Sequence, residues 1–416
     1  MSVALATAGI VVALFVGFNI GGSSTGVAFG PAVGSRLVRK ATAAALFTTF
    51  ALLGAWTVGR NVIDTMSNSI VPATQFSPVA SVGVLFFTGL SLLVSNLYGV
   101  PASTSMTAVG AIVGLGLATG TLNEALMFTI VSAWIVAPLV GFICGAVIGR
   151  YLYPYLDRWF AFTRFESHLF EVDDSGSVPR PQFNDDASPR DIVGSLVVVF
   201  IACYMGFSAG ASNAANAVAP LVGAQGPLTV DQGVLLAVAA FGLGGFTIAR
   251  RTLDTVGDDI TELPILAALV VSVVGGTIIT VLSALGIPAS LAVSTTCCII
   301  GLGWGRASRS ATVVDIATPA ENRERDLDVS TGALVTSRDE DVPTSPTVGD
   351  LARGEAPPER SDEEVPEVPD IGAADAAELD RKSLFDPSAV KRIAALWVIT
   401  PSLAVAGSYP LFLLVL

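Results

Sequence analysis

Apolar stretches of about twenty residues follow one another along this chain, separated by short polar turns. We count ten: residues 2–20, 40–58, 78–96, 100–121, 125–149, 191–208, 228–248, 263–285, 287–305 and 393–416. Each approaches the length that crosses ~30 Å of hydrocarbon, so the pattern predicts an all-α membrane protein. The first stretch has no charged start and no clear cleavage site, and reads as a retained span. Two polar stretches interrupt the series. Residues 150–190 open with the aromatic and basic run Y-L-Y-P-Y-L-D-R-W-F, suited to a membrane interface, and then turn polar. Residues 311–390 hold 20 Asp and Glu against 7 Lys and Arg, few aromatics and many prolines, the composition of a disordered acidic tether. The expected organisation is therefore a first membrane repeat over 1–149, a cytoplasmic connection over 150–190, four spans of a second repeat over 191–305, an acidic linker over 306–392 and a final helix over 393–416.

Composition supports this picture. Apolar residues make up 52% of the chain and charged residues 14%, with a mean hydropathy of +0.68. The net charge of −13 comes largely from the acidic linker. Cys144, Cys203, Cys297 and Cys298 all lie in apolar segments without metal-ligand spacing and read as buried thiols. The single His168 reads as solvated. If the ten segments alternate in direction, every Lys and Arg except Arg60 falls on one side. The positive-inside rule makes that side cytoplasmic and puts both termini outside.

Blocks of sequence recur at nearly constant offset. N-I-G-G-S-S-T-G-V-A-F-G-P at 19–31 finds a counterpart in S-A-G-A-S-N-A-A-N-A-V-A-P at 208–220. Gly54, Thr57, Arg60, Asp64 and Thr65 match Gly244, Thr247, Arg250, Asp254 and Thr255 at an offset of 190. G-V-P-A-S-T-S at 99–105 matches G-I-P-A-S-L-A at 286–292. Five spans per half turn the second half upside down, the inverted-repeat plan of secondary transporters, whose substrate sites sit between the halves at broken helices. The Gly/Ser stretches at 19–35 and 208–220 are read as such breaks.

The candidate chemistry is oxyanion binding. Helix N-termini offer unpaired N–H groups and a positive dipole end, glycine permits close approach, and hydroxyls add donors. The stretches supply Ser23, Ser24, Thr25, Ser212, Asn213 and Asn216; the proline motifs supply Ser103, Thr104, Ser105 and Ser290. The same small residues also serve plain helix-to-helix packing, and that reading stands beside the first. Arg60–Asp64 and Arg250–Asp254 are spaced i,i+4 to pair on one helical face, as a gate or as an interfacial salt bridge. No nucleophile–base pair or metal cluster is present in the pattern, so an enzyme is not expected.

At these blocks the chain resembles the inorganic phosphate transporter (PiT) family of inverted-repeat permeases. That family carries G-A-N-D-V-A-N in each half and a P-V-S-T-T-H motif. Here the first stands as G-G-S-S-T-G-V from Gly21 and G-A-S-N-A-A-N from Gly210; the second as P-A-S-T-S-M from Pro101 and P-A-S-L-A-V from Pro288. Carried over by position, the signature Asn places hold Ser23 and Ser212, the Asp places hold Ser24 and Asn213, and the second Asn survives only as Asn216, opposite Val27. Neither proline motif keeps its His. The resemblance implies a secondary phosphate permease of the cell membrane, coupled to a cation, with sulfate or another oxyanion as the alternative substrate. An uncoupled anion channel or a non-transporting sensor is a further alternative. With both acids replaced, Na⁺ is favoured over H⁺, because carbonyl and hydroxyl oxygens bind a cation but Ser and Asn carry no proton. No cofactor and no nucleic-acid partner is expected; the bilayer is the environment, and a homodimer is implied only by the resemblance.

Overall fold

The structure is a computed structural model. It describes residues 3–35, 37–97, 103–159, 170–173, 180–183, 189–223, 226–259, 265–309 and 387–415. Pro101, His168 and nearly all of the acidic linker lie outside the described residues, as do the side chains of Arg250 and Asp254.

The first half folds into α1 (Val3–Gly34), α2 (Lys40–Thr57), α3 (Gly59–Asp64), α4 (Pro78–Leu97), α5 (Thr104–Thr119) and α6 (Glu124–Val147). A π turn, Thr65–Ser69, prolongs α3, and another, Ile148–Leu152, leads α6 into α7 (Tyr153–Trp159). A short antiparallel pair follows, β1 (Phe170–Asp173) with β2 (Arg180–Phe183), Phe170 opposite Phe183. The second half comprises α8 (Pro189–Val222), α9 (Val230–Asp259), α10 (Ile265–Ala284), α11 (Leu291–Arg309) and α12 (Pro387–Val415). Each of the ten apolar segments falls on one of these helices. Six described helices are long and apolar enough to cross a membrane, and α2 with α3 makes a seventh span bent by 60°. The molecule is a multi-pass membrane protein.

Two helices of the first half begin where a polar side chain stands in for a missing backbone partner. Ser103 caps α5 by accepting from the Met106 amide at 3.3 Å, and Asn123 caps α6 by accepting from Leu126 at 3.1 Å. Gly120, at φ 64°, ends α5 in the left-handed region open to glycine.

The packing reproduces the sequence repeat. α1 lies along α9 as α8 lies along α2, and α4 meets α1 as α10 meets α8. α5 packs on α12 and α11 packs on α6, so the fourth element of each half seats against the fifth of the other. At the first seam the backbones nearly touch. A Cβ on Gly21 would collide with the Phe241 carbonyl, and one on its counterpart Gly210 with the Ala51 carbonyl. Gly54 and Gly244 meet the carbonyls of Phe207 and Phe18 in the same way.

These contacts correct the expectation of breaks at 19–35 and 208–220. The first is helical through Gly34 within α1, and the second from end to end within α8. Small residues are used there for close helix approach, and the helix pays no hydration penalty for them inside a packed bundle. Pro31 and Pro220 each fall in the last turn. There a proline withholds an N–H from the carbonyl four residues back without ending the helix. The interruptions lie elsewhere: at the α2–α3 bend, before α5 and before α11.

Candidate functional site

α5 is 16 residues long, about 24 Å, and does not match the ~30 Å of a hydrocarbon core. Its start is set by the Pro-Ala-Ser-Thr-Ser run, in which Ser103 is the cap. The cap takes the Met106 amide, and the N–H groups of Thr104 and Ser105 have no partner within the helix. They point off the positive end of the helix dipole. Ser105 is buried, and Asn216 of α8 donates to its Oγ at 3.0 Å. The second amide hydrogen of Asn216 goes to Asn213 Oδ1 at 3.1 Å. Asn216 is 1% exposed, and its Oδ1 has no hydrogen-bond partner. Pro220 adds a second oxygen, because it has no N–H to offer the Asn216 backbone carbonyl. Ser212 is buried one turn earlier and donates weakly to Ala209 O at 3.4 Å. Thr107 Oγ1, in the second turn of α5, is also buried without a partner.

The counterpart start is at α11. Ser290 accepts from the Val293 amide at 3.4 Å, and Trp134 Nε1 donates to the Pro288 carbonyl at 2.7 Å. Trp134 stands near the middle of α6, so this tip sits at mid-helix depth.

The ten candidate binding residues therefore divide. Ser105, Asn213 and Asn216 are joined by hydrogen bonds, with Ser103, Thr104 and Ser212 beside them along the chain. Ser290 occupies the equivalent tip. In α1, Ser23 is exposed and donates to Asn19 O and Ile20 O at 3.2 and 3.1 Å, while Thr25 is buried and donates to Gly21 O at 2.7 Å. Ser24 is half-buried. Ser23 and Thr25 donate to carbonyls of their own helix, so the structure does not tie these three to either tip.

The Arg60–Asp64 pairing is corrected. Arg60 reaches across to Asp231 in the first turn of α9 and stacks 4.4 Å from the Trp56 ring centroid. Asp64 instead accepts from Asn68 Nδ2 at 2.7 Å. The bend between α2 and α3 turns Arg60 toward α9, and the shared i,i+4 spacing gave no sign of that. Several contacts had no signal in the sequence pattern. Asn61 Nδ2 reaches Ala284 O at 2.8 Å, Ser208 Oγ reaches Gly276 O at 3.0 Å, and Tyr204 OH reaches Thr277 Oγ1 at 3.1 Å. Trp134 and Tyr204, aromatics with a polar atom in apolar spans, were the exceptions: each could have been flagged as needing a partner.

The side chains gathered at the α5 tip are all neutral. Among the described residues no three His, Cys, Asp or Glu come together, so a cation here would find hydroxyl, amide and carbonyl oxygens.

Comparisons with known proteins bear on the family and the fold. A model of the phosphate transporter family matches residues 20–408. The sulfate permease CysP of Bacillus subtilis is 32% identical over 300 residues, covering 72% of this chain and 77% of its own. A Pyrococcus horikoshii protein, provisionally named a phosphate permease, is 24% identical and covers 71% and 89%. In fold the chain is similar to a solved structure named as the sodium-dependent phosphate transporter, with a TM-score of 0.61, 18% identity and 99% of each chain covered. The family match over nearly the whole length and the 32% identical relative place this chain in the phosphate transporter family.

Proposed function

We propose that this protein takes up inorganic phosphate across the cell membrane as a secondary permease working by alternating access. One observation carries the reading: α5 is a short helix whose first-turn amides have no partner within the helix, and its buried Ser105 accepts a hydrogen bond from Asn216 inside the bundle. Dehydrated oxyanions need such donors, and the apolar surroundings strengthen each one. The second half is read as inverted, with α10–α11 as the counterpart of α4–α5, both termini outside and the acidic linker in the cytoplasm. Ser290 would serve the second tip, and a homodimer belongs to the same reading. Na⁺ is the coupling ion we favour. Asn216 Oδ1 and the Asn216 carbonyl are oxygens without a regular donor, which suits a hard cation and cannot carry a proton. Radiolabelled phosphate uptake into proteoliposomes tests the proposal. Saturable uptake that falls when choline replaces Na⁺ is expected; no saturable uptake under any ion gradient would sink it.

Sulfate is the second reading, favoured by the 32% identical sulfate permease and by the lost acids at Ser24 and Asn213. A protonated phosphate must donate as well as accept, while sulfate only accepts. Competition between the two anions in the same vesicles, scanned from pH 6 to 8, decides between them.

A further inference from the structure

The joint between α6 and α11 ends in a cluster that the transport reading does not use. The two helices approach with almost no side chain between them. Cβ atoms on Gly141, Gly145 and Gly149 would run into the carbonyls of Ser294, Cys298 and Leu302. Past this seam the apolar run ends, and two arginines emerge side by side. Gly149 lies against the backbone nitrogen of Arg306, and the next residue, Arg150, donates from Nη1 to Ser308 O at 3.2 Å and Ser308 Oγ at 3.0 Å. The Arg306 guanidinium lies 4.4 Å over the Tyr153 ring, and that of Arg150 lies 5.7 Å from Tyr151. Among the described residues neither guanidinium is paired with a carboxylate, unlike Arg60, which pairs with Asp231. Arg150 keeps Nη2 and Nε for another acceptor. Tyr151 and Tyr155 are 61% and 70% exposed, and Leu152 between them is 48% exposed.

We infer that Arg150 and Arg306, at the shared end of α6 and α11, bind the phosphodiester headgroup of an anionic phospholipid. Guanidinium groups meet a phosphate with paired N–H donors. Exposed tyrosines beside an apolar helix end belong at headgroup level. The positive-inside rule assigns this end to the leaflet where anionic lipids concentrate charge. The headgroup would bridge the two halves, because α6 belongs to the first and α11 to the second. The inference does not depend on which anion the protein carries.

The test uses purified full-length protein in neutral detergent, with phosphatidylglycerol and phosphatidylcholine in competition and bound lipid counted by native mass spectrometry. Two arginines at the surface should favour phosphatidylglycerol by about thirtyfold. Arg150→Gln with Arg306→Gln should bring that preference close to one, and Arg150→Lys with Arg306→Lys should keep most of it. In the native chain, salt near 1 M, where the Debye length is ~3 Å, should abolish it. An unchanged preference in the glutamine variant overturns the inference. If that variant is not recovered, a preference in the native chain that survives high salt overturns it instead. Displacement of the lipid by millimolar inorganic phosphate would also count against it, by assigning the cluster to the free anion.

Discussion

Asn216 on α8 holds the first turn of α5 by donating to Ser105 at 3.0 Å, and gives its other amide hydrogen to Asn213. With both hydrogens committed, its Oδ1 is left as an acceptor without a partner. Asn216→Ala removes that oxygen and leaves Ser105 without its donor. A lost buried hydrogen bond of this kind is worth about 1–3 kcal/mol, so anion uptake per folded protein should fall roughly ten- to a hundredfold. Uptake normalised to the monodisperse fraction in detergent measures it; an unchanged rate would remove Asn216 from the site.

The glycine seam predicts which small residues tolerate growth. Gly21→Val and Gly210→Val push side-chain atoms into the carbonyls of Phe241 and Ala51. Overpacking should cost about 1–3 kcal/mol or more and lower the unfolding temperature. Gly120→Ala meets no atom within 4 Å and pays only for its φ of 64°, about 1–2 kcal/mol. Thermal unfolding of the three variants in one detergent should rank Gly120→Ala as the mildest.

Arg60 and Asp231 should couple weakly. Their side chains are 34% and 58% exposed, so solvent screens the pair, and a double-mutant cycle with Arg60→Gln and Asp231→Asn should return less than about 1 kcal/mol. The same cycle between Arg60 and Asp64 should return nothing measurable. A larger coupling with Asp64 than with Asp231 would contradict the bend described at α2–α3.

Trp134→Phe keeps an aromatic ring near the α11 tip, though a smaller one, and deletes the donor to Pro288 O. Stability should drop by about 1 kcal/mol, read as a lower unfolding temperature. Uptake should fall as well if this bond holds the tip in place, and the kinetic assay separates the two effects.

The fold was legible where the chemistry is one-dimensional. Twenty apolar residues in lipid must become a helix whatever surrounds them, so the ten segments could be read directly. The repeat was legible because matched blocks such as Gly54–Thr65 and Gly244–Thr255 keep their order. What failed was the meaning of glycine and serine. Gly21 and Gly210 suit either a broken helix or a close crossing, and only their three-dimensional neighbours decide. The candidate site came through in part for the same reason. Ser103 and Ser290 follow proline in motifs that start helices, and both are caps. Ser23 and Thr25 lie on a continuous helix whose own carbonyls take their hydroxyls. The partner of Arg60 was hidden because Asp231 is 171 positions away along the chain.

The exchange of partners between α5–α12 and α6–α11 also has a consequence for synthesis. α5 emerges early, yet the helix it packs on, α12, is made only after α11 and the long acidic segment. Until then Gly110 and Gly114, which abut Pro401 and Ser408 in the finished bundle, have no partner to meet. The first half cannot complete its assembly during translation, however fast its own helices insert. A ribosome stalled in the acidic segment would leave a nearly full-length chain whose α5 lacks α12, an incomplete state a membrane quality-control protease could recognise.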